Sequence, residues 1–421
     1  MHMRATGLGV LLALAGSCAA VSQVPLEAAG RAPRGKKPLK VYILSGQSNM
    51  QGQAHVRTFD HLAMDPETAP LLDEMRNPDG TPRVCEDVYI SEIGGAAQER
   101  HGKLTAKYGA ERGGPKIGPE FTFGIYMRKL VGEPILLIKT AWGGKSINTD
   151  FRPPSAGPYP FSEQQIKSAT ERQKITVEEL KARRAEKTGR YYRLMVEHVK
   201  KVLADPGAYH PAYDPEAGYE VAGFVWFQGW NDMVDGGTYP NRYKPGGYEK
   251  YTEVLAHFIR DVRKEFNAPN MPFVIGVLGV GGPTKDYESP RYKGVHQYFR
   301  DAMAAPASMP EFDGNVAAVL TERFWPTDVA KAEAKQGKIK RKVDAEYKAG
   351  QKKGETPPGG WGKWRRSRTE ELMKTEFSAE DKRLLDIGKS NAGYHYLGSG
   401  TFMAQAGKAF AEAIDELNVG R

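Results

Sequence analysis

The sequence contains little cysteine and no cluster of metal ligands, and both absences exclude classes of protein. Only two cysteines, Cys18 and Cys85, occur among 421 residues, so no disulfide framework is expected. A chain of this length can bury a large core without one. No Cys/His cluster has zinc-binding spacing, and neither a metal nor an organic cofactor is implied. Beyond the N-terminus, no stretch approaches the length and apolarity of a membrane span.

The N-terminus has the pattern of an export signal. Arg4 precedes the apolar run Leu8–Ala15, and small residues follow. This predicts a signal peptide over residues 1–20, followed by a linker rich in Pro, Gly, Arg and Lys over residues 21–38. We therefore expect a secreted or periplasmic protein. A lipid anchor at Cys18 is the alternative, because the preceding residues loosely resemble a lipoprotein box.

Positive charge is concentrated in one segment. The formal net charge is +9, and residues 331–366 hold twelve Lys or Arg against four Asp or Glu. Trp361 and Trp364 lie within this segment, which could therefore bind an anionic polysaccharide through stacking and ion pairs. The alternative is a solvated helix and loop. Nucleic acid is not an expected partner, because the chain carries an export signal and no recognition motif.

The order of apolar runs and amphipathic segments predicts an α/β fold. Buried strands are predicted near residues 39–44, 88–93, 134–139, 221–227, 273–278 and 316–320. The long segments between most of them have helical periodicity, which favours a mainly parallel sheet covered by helices on both faces. A helical insertion is expected at about 160–188 and a basic insertion at about 328–375.

Residues suited to catalysis follow three of these strands. Gly46 ends the first strand and Ser48 comes directly after it, at the edge where open α/β sheets place their chemistry. The paired glycines Gly143 and Gly144 follow another strand, where backbone N–H groups can approach a ligand. Gln228 follows a third strand. The sequence therefore predicts one site at the carboxyl edge of the sheet.

A family resemblance appears in these blocks. Gly46–Met50 resembles the first block of the SGNH hydrolases, in the sialate O-acetylesterase and carbohydrate acetylesterase branch. Residues 118–120 resemble a second block, and residues 226–229 match most of a third. The resemblance implies a three-layer α/β/α sandwich around a mainly parallel five-stranded sheet of flavodoxin-like type, within one esterase domain over residues 39–421.

The resemblance also implies roles for individual residues. Ser48 would be the nucleophile, and His395, just before the last helix, would be the base that takes its proton. Gly144 would donate its N–H to the oxyanion, with Gly143 not excluded. A side-chain amide from Gln228 or Asn231 would be a further donor.

The acid that orients the base departs from the family pattern. The family commonly has Asp three residues before the His, where this chain has Ala392, or relies on a Glu in the third block, where it has Trp230. We therefore hypothesise that Asp232 orients His395, with a backbone carbonyl as the alternative.

Two functions remain after these observations. The first is a secreted serine esterase that removes O-acetyl groups from carbohydrates through an acyl-Ser48 intermediate. The second is a non-catalytic glycan-binding relative that has lost its acid. An acetylated glycan is the expected partner in the first, and xylan, sialic acid and other glycans all remain open.

Overall fold

The computed structural model describes residues 37–95, 98–354 and 356–419. The predicted signal peptide lies outside these ranges, and so does the predicted linker except for residues 37 and 38. No helix in the described ranges is long and apolar enough to cross a membrane.

A seven-stranded sheet lies at the centre of the fold, with strand order β4-β3-β6-β1-β7-β8-β9. All neighbours pair in parallel except β4, which runs antiparallel to β3 at one edge. A separate antiparallel pair joins β2 and β5. The strands are β1 (Leu39–Gly46), β2 (Ala54–His55), β3 (Val88–Ile93), β4 (Arg100–Lys103), β5 (Lys116–Ile117), β6 (Ile135–Ala141), β7 (Tyr219–Phe227), β8 (Phe273–Val277) and β9 (Val316–Leu320).

The α/β class and the mainly parallel sheet are confirmed, while the expected five strands are seven. The six parallel strands are short and largely buried, which is why their apolar runs were visible in the sequence. The added edge strand, Arg100–Lys103, is half-buried and carries no apolar side chain. Its polar composition is typical of edge strands, and it is not among the strands predicted from the sequence.

Helices cover both faces of the sheet. On one face, the Tyr42 ring contacts the Phe123 ring with centroids 5.6 Å apart. On the other, Ser45 Oγ lies 3.2 Å from Met195 Sδ. The α-helices are α1 (Ser48–Gln51), α2 (Ala69–Met75), α3 (Glu120–Val131), α4 (Glu163–Lys167), α5 (Val177–Lys187), α6 (Arg190–Ala204), α7 (Trp230–Val234), α8 (Glu249–Glu265), α9 (Pro290–Ala304), α10 (Thr327–Lys352), α11 (Gly360–Glu376), α12 (Ala379–Gly388) and α13 (Gly400–Val419).

The basic segment forms a helical hairpin from α10 and α11. Its buried side chains make a small core of their own: Ile339, Val343, Leu372 and Phe377. Trp361 packs edge-on against Tyr347 and Trp364, with ring centroids 5.1 and 5.3 Å away. These tryptophans therefore contribute to holding the two helices together, which leaves less of their surface for stacking on a sugar.

Candidate active site

Three loops meet at the carboxyl edge of the sheet, because β1 lies between β6 and β7. Gly46 is in register with Ala141 on one side and with Phe227 on the other. A Cβ on Gly46 would lie 2.1 Å from the carbonyl oxygen of Phe227, so glycine alone permits this close approach. Ser48 follows as the first residue of α1 and is 7% exposed.

Backbone donors point into the site from two of these loops. Ser48 is the first residue of α1, so its N–H lacks a partner within the helix. Gly144 has a φ of +73° and is exposed. Within the described residues, neither the Ser48 N–H nor the Gly144 N–H has an acceptor. A Cβ on Gly143 would be 3.7 Å from Ser48 Cβ, which places this turn beside the serine.

Gln47 fixes the loop after β7 against the nucleophile. Its Oε1 accepts from Gln228 Nε2 at 3.2 Å and from the backbone N–H groups of Gly229 and Asn231 at 3.1 and 3.4 Å. Its Nε2 donates to Asn231 Oδ1 at 3.1 Å. The sequence alone does not mark Gln47 for this role, because an amide that binds other amides leaves no distinctive pattern.

The two predicted amide donors differ in their availability. Gln228 Nε2 already has three acceptors: Asp232 Oδ2 at 2.6 Å, the Lys145 carbonyl at 2.9 Å and Gln47 Oε1. Asn231 Nδ2, by contrast, has no acceptor within the described residues, and the side chain is half-buried. Asn231 is therefore free to donate to a substrate oxygen, whereas Gln228 is occupied in joining loops.

The structure does not bring Asp232 to His395. The Asp232 carboxylate is 1% exposed and accepts from the Ile147 N–H at 2.9 Å, the Asn148 N–H at 3.3 Å, Gln228 Nε2 and Tyr239 Oη. Burial raises its pKa to about 6 despite these four donors. Asp232 therefore ties the turn after Gly144 to the loop after β7.

Asn391 occupies the position of the orienting group instead. Its Oδ1 lies 3.0 Å from His395 Nδ1 and also accepts from the Ala392 N–H at 2.7 Å. Because a backbone N–H can only donate, the atom facing both groups is the amide oxygen. His395 Nδ1 must then carry the proton, which leaves the Nε2 lone pair available as a base. Asn391 Nδ2 donates to Gln53 Oε1 at 3.3 Å and keeps the amide in this orientation.

One hydrogen bond between their neighbours links the segments that carry Ser48 and His395. Asn49 Nδ2 donates to the carbonyl of Tyr394 at 3.3 Å. No hydrogen bond joins Ser48 Oγ to His395 itself, although both residues are described; in unliganded enzymes such bonds are often long and shorten when substrate binds. Burial, with a smaller effect of the Lys116 ammonium, lowers the pKa of His395 to about 4. The imidazole is therefore neutral and able to accept a proton at neutral pH.

The turn that carries His395 is held in an unusual backbone conformation. Tyr396, Leu397 and Gly398 have φ values of +52°, +60° and +61°. The two left-handed non-glycine residues cost about 1–3 kcal/mol each, so surrounding contacts must hold them. Tyr396 is fully buried, stacks on Phe402 with centroids 3.6 Å apart and accepts the Gly279 N–H at 3.0 Å.

A buried ion pair holds the helix that begins with Ser48. Lys139 and Glu120 side chains are both 0% exposed, with Lys139 Nζ 2.7 Å from Glu120 Oε2. Lys139 Nζ also donates to the carbonyls of Gln51 at 2.9 Å and Tyr108 at 2.7 Å. Since Gln51 ends α1, the ammonium holds the helix that begins with Ser48.

The site therefore has the groups that acyl transfer requires. Ser48 can attack, His395 can take a proton, Asn391 contacts the imidazole, and donors without an acceptor among the described residues lie on the neighbouring loops. The described residues contain no group of three or more His, Cys, Asp or Glu that could hold a metal ion. These residue types, at the carboxyl edge of an α/β sheet, are those that serine hydrolases use.

The chain belongs to the carbohydrate esterase family of sialic acid-specific acetylesterases, whose family profile matches residues 38–307. This range includes Ser48, Gly144 and Asn231 and ends before His395. Membership indicates hydrolase activity on acetyl esters of carbohydrates.

The chain also matches solved structures from a plant and a bacterium at low similarity. A protein from Arabidopsis thaliana has 18% identity and a TM-score of 0.37, covering 68% of this chain and 86% of that one. A carbohydrate acetylesterase from Xanthomonas citri has 16% identity and a TM-score of 0.36, covering 66% of this chain and 49% of that one. No curated protein matches the chain.

Proposed function

We propose that this protein is an exported serine esterase that removes O-acetyl groups from carbohydrates through an acyl-Ser48 intermediate. The observation that carries the proposal is the bond between Asn391 Oδ1 and His395 Nδ1, because it leaves Nε2 as the acceptor for a proton. Family membership supports the acetyl ester substrate. Export is supported by the N-terminal sequence pattern, with lipoprotein processing at Cys18 as the alternative.

The reaction proceeds in two half-reactions. His395 Nε2 takes the Ser48 proton as Oγ attacks the acetyl carbonyl, and the imidazolium then protonates the departing sugar oxygen. Water, deprotonated by the same nitrogen, attacks the acetyl-serine, and the imidazolium returns the proton to Ser48 Oγ as acetate leaves. The N–H groups of Ser48 and Gly144 and the amide of Asn231 would stabilise the oxyanion, each for about 3 kcal/mol.

An asparagine can replace the acid of the triad because its main task is to orient the imidazole. Papain-like enzymes use Cys, His and Asn in this way. The Asn391 oxygen carries only a partial charge, so it stabilises the imidazolium less than a carboxylate would. We therefore assign the orienting role to Asn391 and a structural role to Asp232.

Two aromatic side chains beside the base would hold the sugar. The Trp230 and Tyr394 rings lie 5.9 Å apart, and the Tyr394 ring is 4.5 Å from that of His395. Tyr394 is 46% exposed and Trp230 is half-buried. Flat apolar rings next to a reacting ester suit the faces of a sugar.

The experiment is acetate release from a panel of acetylated glycans, combined with labelling by a fluorophosphonate probe. Wild type should release acetate and be labelled, and Ser48→Ala should do neither. Asn231→Ala should lower kcat about 100-fold if its amide binds the oxyanion. The lack of a carboxylate against His395 favours the alternative, a glycan-binding relative without activity. Glycan binding with no acetate release and no labelling would establish that alternative.

A further inference from the structure

A cleft of about 580 Å³ opens directly beside the proposed oxyanion site. Gly144 and Asn231, two of the proposed oxyanion donors, form part of its wall, so the cleft begins where the acetyl group would bind. Its charged lining consists of Lys145, Asp150, Arg184, Lys187, Arg190 and Asp235.

The cations of this cleft outnumber its acids. Lys145, Arg184, Lys187 and Arg190 face two carboxylates. Of these four, Lys145 alone has a carboxylate partner within the described residues, at 4.0 Å from Asp150. Arg184, Lys187 and Arg190 are therefore able to pair with an anion from outside.

Both carboxylates of the cleft are occupied by their own loops. Asp150 Oδ2 accepts from the Ser146 N–H at 2.9 Å and from the Ser146 hydroxyl at 3.2 Å. Asp235 accepts from the N–H groups of Gly237 and Thr238 at 2.9 and 3.1 Å and from the Thr238 hydroxyl. Since donors already surround these carboxylates, they neutralise the neighbouring cations only in part.

Two of the cations are held in place by aromatic rings. The Arg184 guanidinium lies 4.2 Å from the centroid of Tyr159 and donates to Thr149 Oγ1 at 3.2 Å. Lys145 Nζ lies 4.4 Å from the centroid of Tyr191. Preorganised cations bind an anion with less loss of side-chain entropy than freely rotating ones do.

We propose that this cleft is a subsite for an anionic sugar adjoining the acetylated sugar, bound through its carboxylate or sulfate by Arg184, Lys187 and Arg190. The inference rests on the proposed function, since it assumes that the acetyl ester lies at Ser48. An arginine fork bonds either oxyanion in two places, whereas a neutral sugar offers it no charge. The enzyme would then prefer acetyl groups on acidic polysaccharides.

The test compares three acetylated substrates of one backbone: neutral xylo-oligosaccharide, the same oligosaccharide bearing uronate side chains, and a sulfated derivative. At low salt, wild type should have a kcat/KM about tenfold higher on one or both anionic substrates than on the neutral one, and added salt should reduce this ratio. Preference for the uronate identifies a carboxylate, and preference for the sulfated derivative identifies sulfate.

Two matched triple variants distinguish an effect of the cleft from an effect of the protein's net charge. Arg184→Gln/Lys187→Gln/Arg190→Gln should bring the ratio close to one. Arg341→Gln/Lys348→Gln/Arg366→Gln removes the same charges from the helical hairpin and should leave the ratio as it is. A ratio that is near one in wild type, or that falls equally in both triple variants, overturns the proposal.

A binding measurement tests the subsite independently of esterase activity. Calorimetry with Ser48→Ala protein and the unacetylated uronate or sulfated oligosaccharide needs no turnover. If no substrate releases acetate but the cleft variant weakens this binding about tenfold, the proposed function and the preference for acidic acetylated substrates fail, while the cleft remains a binding site for an anionic sugar. If acetate is released but neither anionic oligosaccharide binds, the subsite fails alone.

Discussion

The most discriminating change in this site is Asn391→Asp, which would place a carboxylate where the structure has an amide oxygen 3.0 Å from His395 Nδ1. The new carboxylate can keep the bonds to the imidazole and to the Ala392 N–H. Its second oxygen would face Gln53 Oε1, and that half-buried amide can rotate to present its N–H₂ instead.

The size of the effect follows from the charge introduced. An opposite charge at this distance raises the pKa of an imidazole by about 1–3 units, or about 1.4–4 kcal/mol. The pKa of His395 is about 4 in the wild type, because the ring is buried near Lys116. In the variant it should rise to about 5–7.

The variant should therefore be less active than wild type in acid and more active in alkali. At about pH 5 the variant should lose activity, because its base is protonated, whereas wild type keeps a neutral base. At about pH 8 both bases are neutral, and the variant should turn over up to about tenfold faster because the carboxylate stabilises the imidazolium.

The assay is kcat/KM for p-nitrophenyl acetate between about pH 4 and about pH 9. Gln53→Glu is the graded control, since it adds the same charge one residue farther from the ring and should move the acid limb less. Asn391→Ala should lower kcat by at least about fivefold, which is the effect of one lost hydrogen bond. The loss should be smaller than the roughly 10⁴-fold that follows removal of a triad acid. An acid limb in Asn391→Asp that coincides with that of wild type would refute Asn391 as the orienting group.

Three further predictions concern stability. Lys139→Met should destabilise the fold by about 3–5 kcal/mol in urea unfolding, because Glu120 stays buried without its cation. The double variant Lys139→Met/Glu120→Leu should recover most of that stability. A double variant as unstable as the single one would contradict this. Gly398→Ala should lower both stability and kcat, because its Cβ would lie 2.4 Å from Ser390 Oγ. The control Gly314→Ala has a φ of +68° and open space around the new Cβ, so it should lower the free energy of unfolding by only about 1–2 kcal/mol. Asp232 has a pKa of about 6 in the fold against 3.8 in the unfolded chain. Its protonation therefore contributes about 3 kcal/mol to the free energy of unfolding below about pH 3.8, and this contribution is lost as pH rises through 6. The unfolding free energy of wild type minus that of Asp232→Asn should show this decline, and a flat difference would count against it.

The sequence predicted the parts of this molecule whose cause is local. The strand Ile135–Ala141 is buried along its whole length and begins with four consecutive apolar residues, a pattern typical of a central parallel strand. Ser48 and Gly144 could be located because each follows the end of such a strand. The polar strand Arg100–Lys103 could not, since its pairing depends on a neighbour and not on its own residues.

The orienting group could not be predicted because its identity depends on a tight turn. Asn391 meets the imidazole four residues later because the intervening turn closes, with the Ala392 carbonyl accepting the His395 N–H at 2.9 Å. No charge or motif in the sequence marks this turn. Asp232 fits an acid's role by its charge and its place near the third block, but in the fold it is buried and accepts from other donors.

The separate core of the helical hairpin has a consequence for local unfolding. The four side chains of this small core contact one another, and His61 ties the start of α10 to the body of the protein through Asp328 and Thr401. Segments with small cores open at lower free energy than a central sheet. Amide hydrogens of α11 should therefore exchange with deuterium well before those of β1, and this part of the chain can change in length or sequence while the catalytic edge keeps its shape.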